Sequence, residues 1–154
     1  MAKPRKVERA LLDASALIGY LKGEPPFACL RSLMEAVDRG EVTLVESTAI
    51  LAEVTPGHRR DTAVHATARQ RVRALLESPA TELVDVSTPV ARKAGELRVA
   101  HGMTTWDAVH LATGILARVD VIIVVDGKFP RGDYGGVRVT GPFDVYEGML
   151  PIEM

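Results

Sequence analysis

A single cysteine, Cys29, in 154 residues excludes an internal disulfide framework and any thiolate-rich zinc site. No long hydrophobic run is present. The strongest, Val121 to Val125, is five residues, whereas a membrane span needs roughly 20. The apolar stretch near the N-terminus is interrupted by Glu8, Arg9 and Asp13, which makes a poor secretory signal. No charge of one sign dominates: 19 basic and 20 acidic side chains leave a formal net charge of −1. The chain is therefore no bulk polycation, and any nucleic acid must meet a local basic patch. Repeats, low-complexity tracts and linkers are also lacking. With 47% apolar and 25% charged residues, the composition is that of an ordinary globular protein and excludes intrinsic disorder. One domain over residues 1–154 and a soluble, cytoplasmic protein are the expectations.

What is present is an alternation of short apolar runs with longer amphipathic stretches. Val7 to Leu12 reads as a strand and Ser15 to Leu21 as a short helix stopped by Gly23 and Pro25. From Phe27 to Arg39 the residues Leu30, Leu33, Met34 and Val37 fall at helical spacing, with Gly40 as a stop. Cys29 lies on this helix, where a buried, unreactive thiol is expected. Val42 to Val45 is a second strand, and Ser47 to Thr55 a helix ended by Pro56-Gly57. Arg59 to Glu77 is a helix with a core stripe of Val64, Ala68, Val72 and Leu75. Glu82 to Val86 is a third strand. Thr88-Pro89 starts a helix, a capping hydroxyl followed by proline, and this helix ends at Gly102. The next begins at Thr104 and presents Ala108, Leu111, Ala112 and Ile115. Val121 to Val125 is β-branched throughout, the pattern of a strand buried on both faces. Val137 to Thr140 is a last short strand.

Strands separated by helices pair in parallel through crossover connections. The fold class is α/β, a three-layer α/β/α sandwich with a central parallel sheet, and ligands of such sheets sit beyond the carboxyl ends of the strands.

Two strands end in an aspartate: Leu11-Leu12-Asp13 and Val124-Val125-Asp126. Glu53 interrupts the apolar helix Ala49-Ile50-Leu51-Ala52-Glu53-Val54, and Asp107 lies in the first turn of the helix from Thr104. Each has an ordinary explanation. Asp13 can cap the following helix. Thr104-x-x-Asp107 fits a variant capping box. Glu53 can face solvent, and Asp126 opens a glycine-containing turn. Together, at positions the topology would gather, they make a better case for a site. Four converging carboxylates repel one another and need cations, and an oxygen-only set suits magnesium or manganese rather than zinc.

These segments carry a family resemblance. Leu11-Leu12-Asp13-Ala14-Ser15-Ala16-Leu17-Ile18 resembles the opening strand and turn of a PIN domain. Leu51-Ala52-Glu53-Val54 is similar to that family's second acidic motif, Thr105-Trp106-Asp107-Ala108-Val109-His110-Leu111-Ala112-Thr113 to its third, and Val125-Asp126-Gly127-Lys128-Phe129 to its fourth. Gly127 stands where many relatives carry a further polar or acidic residue, and the tail after Pro130 is long for the family. The size and helix layout most resemble the VapC-like toxins of toxin–antitoxin pairs. The resemblance implies a Mg2+- or Mn2+-dependent endoribonuclease that hydrolyses RNA phosphodiester bonds with an activated water. Asp13 and Asp107 would be the main metal ligands, Glu53 and Asp126 would complete the cluster, and Ser15 and Thr105 would support it. It also implies a small antitoxin partner received by the first two helices, and a homodimer.

Basic residues concentrate between His58 and Arg73, where Arg59, Arg60, Arg69, Arg71 and Arg73 face one acid, Asp61. Such a face near Glu53 can hold RNA phosphates, although an ordinary solvated face would look the same. Trp106 can stack on a base, with a core anchor at the helix start as the simpler expectation. His65 and His110 are expected to be structural or surface residues. The alternatives to a toxin are a PIN nuclease of RNA processing or decay, and a PIN-like module that binds RNA or protein without cleaving. A phosphoacceptor signalling domain also has strand-end aspartates but needs adjacent acids after its first strand, where Asp13-Ala14-Ser15 offers one.

Overall fold

The computed structural model describes residues 6–55, 62–125, 129 and 131–142. Its six strands are β1 (Arg9–Leu12), β2 (Thr43–Ser47), β3 (Thr81–Val84), β4 (Val121–Ile123), β5 (Gly132–Tyr134) and β6 (Val137–Thr140). The helices are α1 (Ala14–Leu21), α2 (Arg31–Asp38), α3 (Ile50–Glu53), α4 (Ala63–Leu76), α5 (Thr88–His101) and α6 (Thr105–Leu116). The strands form one sheet in the order β3-β2-β1-β4-β6-β5, parallel except for the β5–β6 pair.

The three layers follow from alternation along the strands. Ala10 and Leu12 of β1, and Val121 and Ile123 of β4, join a core with Leu17 of α1, Leu33 of α2 and Val72 of α4. Leu11 and Ile122, one residue out of phase, face a second core with Leu97 of α5 and Leu111 of α6. β4 is buried along its whole length, as its β-branched run predicts. α6 approaches it closely at Gly114, where an added Cβ would lie 2.5 Å from Ile122 Cδ1. The helix α5 stops at Gly102, whose φ of 64° is the left-handed conformation that glycine adopts without penalty.

Several expected boundaries move, each for a local reason. The helix expected from Phe27 to Arg39 is a 3-10 turn at Pro25–Leu30 followed by α2; Cys29 therefore sits in the turn, half-buried, with its thiol 2.8 Å from the Pro142 carbonyl. The helix expected from Ser47 shrinks to α3, because Ser47 is still in register with Val84 of β3 and the Thr48 N–H bonds the Val84 carbonyl. The α4 stripe is Ala68, Val72 and Leu76; Val64, in the first turn, is 58% exposed. The α5 cap is Ser87, one residue before the expected Thr88. β5 was not anticipated: Gly-Asp-Tyr has no apolar run, and its antiparallel pairing is made by the Gly135-Gly136 turn, both at positive φ. Among the described residues no helix is long and apolar enough to cross a membrane.

Candidate active site

The chain runs β1, β2, β3 outward on one side of the sheet and returns to lay β4 on the other side of β1. This reversal opens a crevice between the carboxyl ends of β1 and β4, the usual ligand position in doubly wound sheets. Asp13 lies there. Its Oδ1 accepts the Ala16 N–H at 2.8 Å and so caps α1, and its Oδ2 accepts the Val125 N–H at 2.9 Å across the crevice. The capping explanation and the site explanation are thus both true of one carboxylate. Burial pushes its pKa up; the two N–H donors and the nearby His110 oppose the rise, and the Glu53 charge adds to it.

Glu53 closes α3 and is not turned to open solvent. Its Oε2 lies 3.3 Å from Nε2 of His110, a buried side chain of α6. The two atoms are close, but neither ring nitrogen of His110 completes an aligned hydrogen bond. His110, expected to be structural or at the surface, therefore lies buried against the Glu53 carboxylate. Arg69, expected on an RNA-binding face, is half-buried and donates from Nη1 to the Glu53 carbonyl, tying α4 to α3. Asp107 is on the first turn of α6, its N–H bonded to the Thr104 capping hydroxyl at 3.2 Å. It precedes His110 by three residues and so shares its helix face.

The remaining candidates are dispersed. Ser15 and Thr105 are exposed beside Asp13 and Asp107 in sequence, and Arg71 and Arg73 are exposed on α4, Arg73 paired with Glu77 at 3.2 Å. Asp126, Arg59 and Arg60 lie outside the described residues. Trp106 is no core anchor: it is 51% exposed. It lines an open groove of about 350 Å³ with Thr48, Ala49, Val86, Thr105 and Val109.

Sequence reasoning missed Glu46. This β2 side chain is fully buried. Its Oε1 accepts the Leu12 N–H at 2.9 Å, while Oε2 has no hydrogen-bond partner. Burial holds its pKa well above the usual carboxylate range; the Leu12 N–H opposes this, and the charges of Asp13 and Glu53 reinforce it. The available signal was a lone acid inside the apolar run Leu44-Val45-Glu46. The sign of its pH effect follows. Folded Glu46 keeps its proton to higher pH than the unfolded chain does. Its stabilising contribution is complete below the unfolded value near 4.5 and is lost as pH rises through the folded value. In chelator, the melting temperature should fall as pH rises above about 4.5. The slope for this one proton cannot exceed about 1.4 kcal/mol per pH unit. Glu46→Gln should flatten that dependence in a series of thermal melts.

Among the described residues, no three acidic, histidine or cysteine side chains stand close enough together to form a ready-made metal cage. The donors themselves nevertheless fit a hard divalent cation. They are carboxylate oxygens, one of them the unpartnered buried Oε2 of Glu46, and magnesium retains much of its water and needs few direct protein ligands.

Comparison with known proteins agrees with this architecture. The PIN domain model matches residues 10–133. A chain of the toxin–antitoxin complex from Klebsiella pneumoniae superposes with a TM-score of 0.61 at 23% identity, covering 88% of this chain and 99% of that one. A chain of VapBC2 from Rickettsia felis, bound to a DNA fragment from its promoter, gives 0.62 at 16% identity, with coverages of 86% and 98%. A chain of FitAB bound to the IR36 DNA fragment gives 0.59 at 19% identity, with 90% and 98%. No curated protein matches significantly in sequence. With Asp13 at the crevice between β1 and β4 and the family model spanning most of the chain, the chain belongs to the PIN domain family.

Proposed function

We propose that this protein is a divalent-metal-dependent endoribonuclease and the toxin of a toxin–antitoxin pair. The observation that carries the reading is the Asp13 carboxylate, held by two backbone N–H groups at the carboxyl edge of a parallel sheet, in a fold shared with chains of toxin–antitoxin complexes. Asp13, Glu53, Asp107 and Asp126 would hold Mg2+ or Mn2+. The cation supplies charge neutralisation at the scissile phosphate and a lower pKa for the attacking water. The protein's own share is to orient. Two backbone N–H groups fix the Asp13 carboxylate, and Arg69 fixes the backbone that carries Glu53. Ser15 and Thr105 supply hydroxyls beside two of the acids. Arg71 and Arg73, with Arg59 and Arg60, supply positive charge for RNA phosphates. α1, the 3-10 turn and α2 form the surface assigned to the antitoxin, and a homodimer is the assembly assigned to the toxin.

Purified protein should cleave a structured RNA with added Mg2+ or Mn2+ and stop in excess chelator. Undiminished cleavage in chelator, with nuclease-free controls, would refute the mechanism. A small protein encoded by the adjacent gene should co-purify from the native operon. Its absence would transfer the assignment to RNA processing or decay.

The exposed ring of Trp106 is assigned to a base of the bound RNA. Stacking contributes about 1–3 kcal/mol per base, so Trp106→Ala should weaken RNA binding roughly 5- to 150-fold. The dissociation constant is best measured in an Asp13→Asn background, where the RNA remains intact.

A further inference from the structure

The parallel ladder between β1 and β2 pairs Arg9 with Thr43 and Ala10 with Leu44. Beyond it the Glu46 side chain takes over from the backbone, receiving the N–H of Leu12, the residue immediately before Asp13. One oxygen is thereby fixed. The other is buried without a partner, within electrostatic reach of Asp13 and Glu53. A buried acceptor left unsatisfied costs about 1–3 kcal/mol. The fold therefore accounts for Oε1, which satisfies the Leu12 N–H, and gives no reason for the second oxygen.

We propose that Glu46 is a fifth carboxylate of the metal site, with Oε1 anchored to the β1 backbone and Oε2 directed to the divalent cation or to one of its waters. The proposal rests on the metal-dependent reading given above and adds to it a residue from β2, outside all four acidic motifs. Anchoring matters because the Leu12 N–H fixes the carboxylate relative to the backbone that leads into Asp13. The two acids are thus registered to each other before any cation arrives, and β2 contributes a ligand through the same contact that holds it to β1.

The test is Mn2+-dependent thermal stabilisation of the full chain at pH 7, comparing wild type with Glu46→Gln, which keeps an oxygen for the Leu12 N–H and removes the charge. The wild-type melting temperature should rise with Mn2+, since an ion that binds only the folded state stabilises it by mass action. Glu46→Gln should melt in chelator no lower than wild type, and its half-saturating Mn2+ concentration should be at least tenfold higher. Direct Mn2+ titration by electron paramagnetic resonance should give the same ratio. Equal half-saturation in the two proteins would overturn the role of Glu46 while leaving the metal-dependent reading intact. A wild-type protein that Mn2+ does not stabilise would overturn both. If neither Glu46→Gln nor Glu46→Met folds in chelator, the carboxyl serves the fold itself and the proposal fails.

Discussion

Asp13→Ala should lose at least two orders of magnitude in metal-dependent RNA cleavage and become less stable by about 1–3 kcal/mol. The activity loss follows from removing a ligand whose cation contributes several kcal/mol to transition-state stabilisation, at about 1.4 kcal/mol per factor of ten. The stability loss has two sources. The α1 cap disappears, which costs about 0.5–2 kcal/mol. The Val125 N–H also loses its acceptor across the crevice, leaving a half-buried donor to find water. Asp13→Asn separates the effects. Asparagine caps helices as well as aspartate does, but its single oxygen cannot serve both donors, and the negative charge is gone. It should retain most of the stability and remain as inactive as the alanine variant. Denaturant midpoints in chelator, alongside a cleavage time course, check both statements. Activity within threefold of wild type in Asp13→Asn would remove Asp13 from the chemistry.

The second large effect lies under the site. Ile122→Ala should destabilise by about 2–5 kcal/mol, towards the upper end, because its neighbour on α6 is Gly114, which has no side chain to move into the void. Against a total stability of about 5–15 kcal/mol, this is severe. The same contact predicts a reversal of sign. Gly114→Ala alone overpacks the interface, which typically costs about 1–3 kcal/mol. In the Ile122→Ala background the added methyl occupies vacated space and should restore part of the loss. Such coupling is expected only for residues in contact. Chemical denaturation of the two single variants and the double variant gives the interaction directly; simple additivity would show that α6 does not rest on β4 as described.

The fold could be read from sequence where one element's pattern was self-contained. β4 announced itself by five β-branched residues in a row, and the start of α6 by the Thr104 hydroxyl that bonds the Asp107 N–H. Reading failed where the decisive partner was distant. Ser47 stays in its strand because Val84 pairs with it. Arg69 turns inward because the Glu53 carbonyl is waiting, and nothing in the spacing of arginines on α4 reveals that. The candidate site divides in the same way. The acids at strand and helix ends stood out by position. Glu46 and His110 looked like ordinary members of a strand and a helix, and their importance comes from burial beside charges contributed by other segments.

Asp13 bonds at once to the first turn of α1 and to the backbone leaving β4, which sets a rule for how this chain can vary in length. A side chain in a strand reverses direction with each added residue. One residue inserted between Leu12 and Asp13 would turn the carboxylate away from Val125, and one inserted between Ile123 and Val125 would shift the donor out of reach. Variation in length among relatives should therefore concentrate away from these two strand ends, in connections at the amino ends of the strands such as the one between α4 and β3. There an extra residue alters a loop without moving an acid.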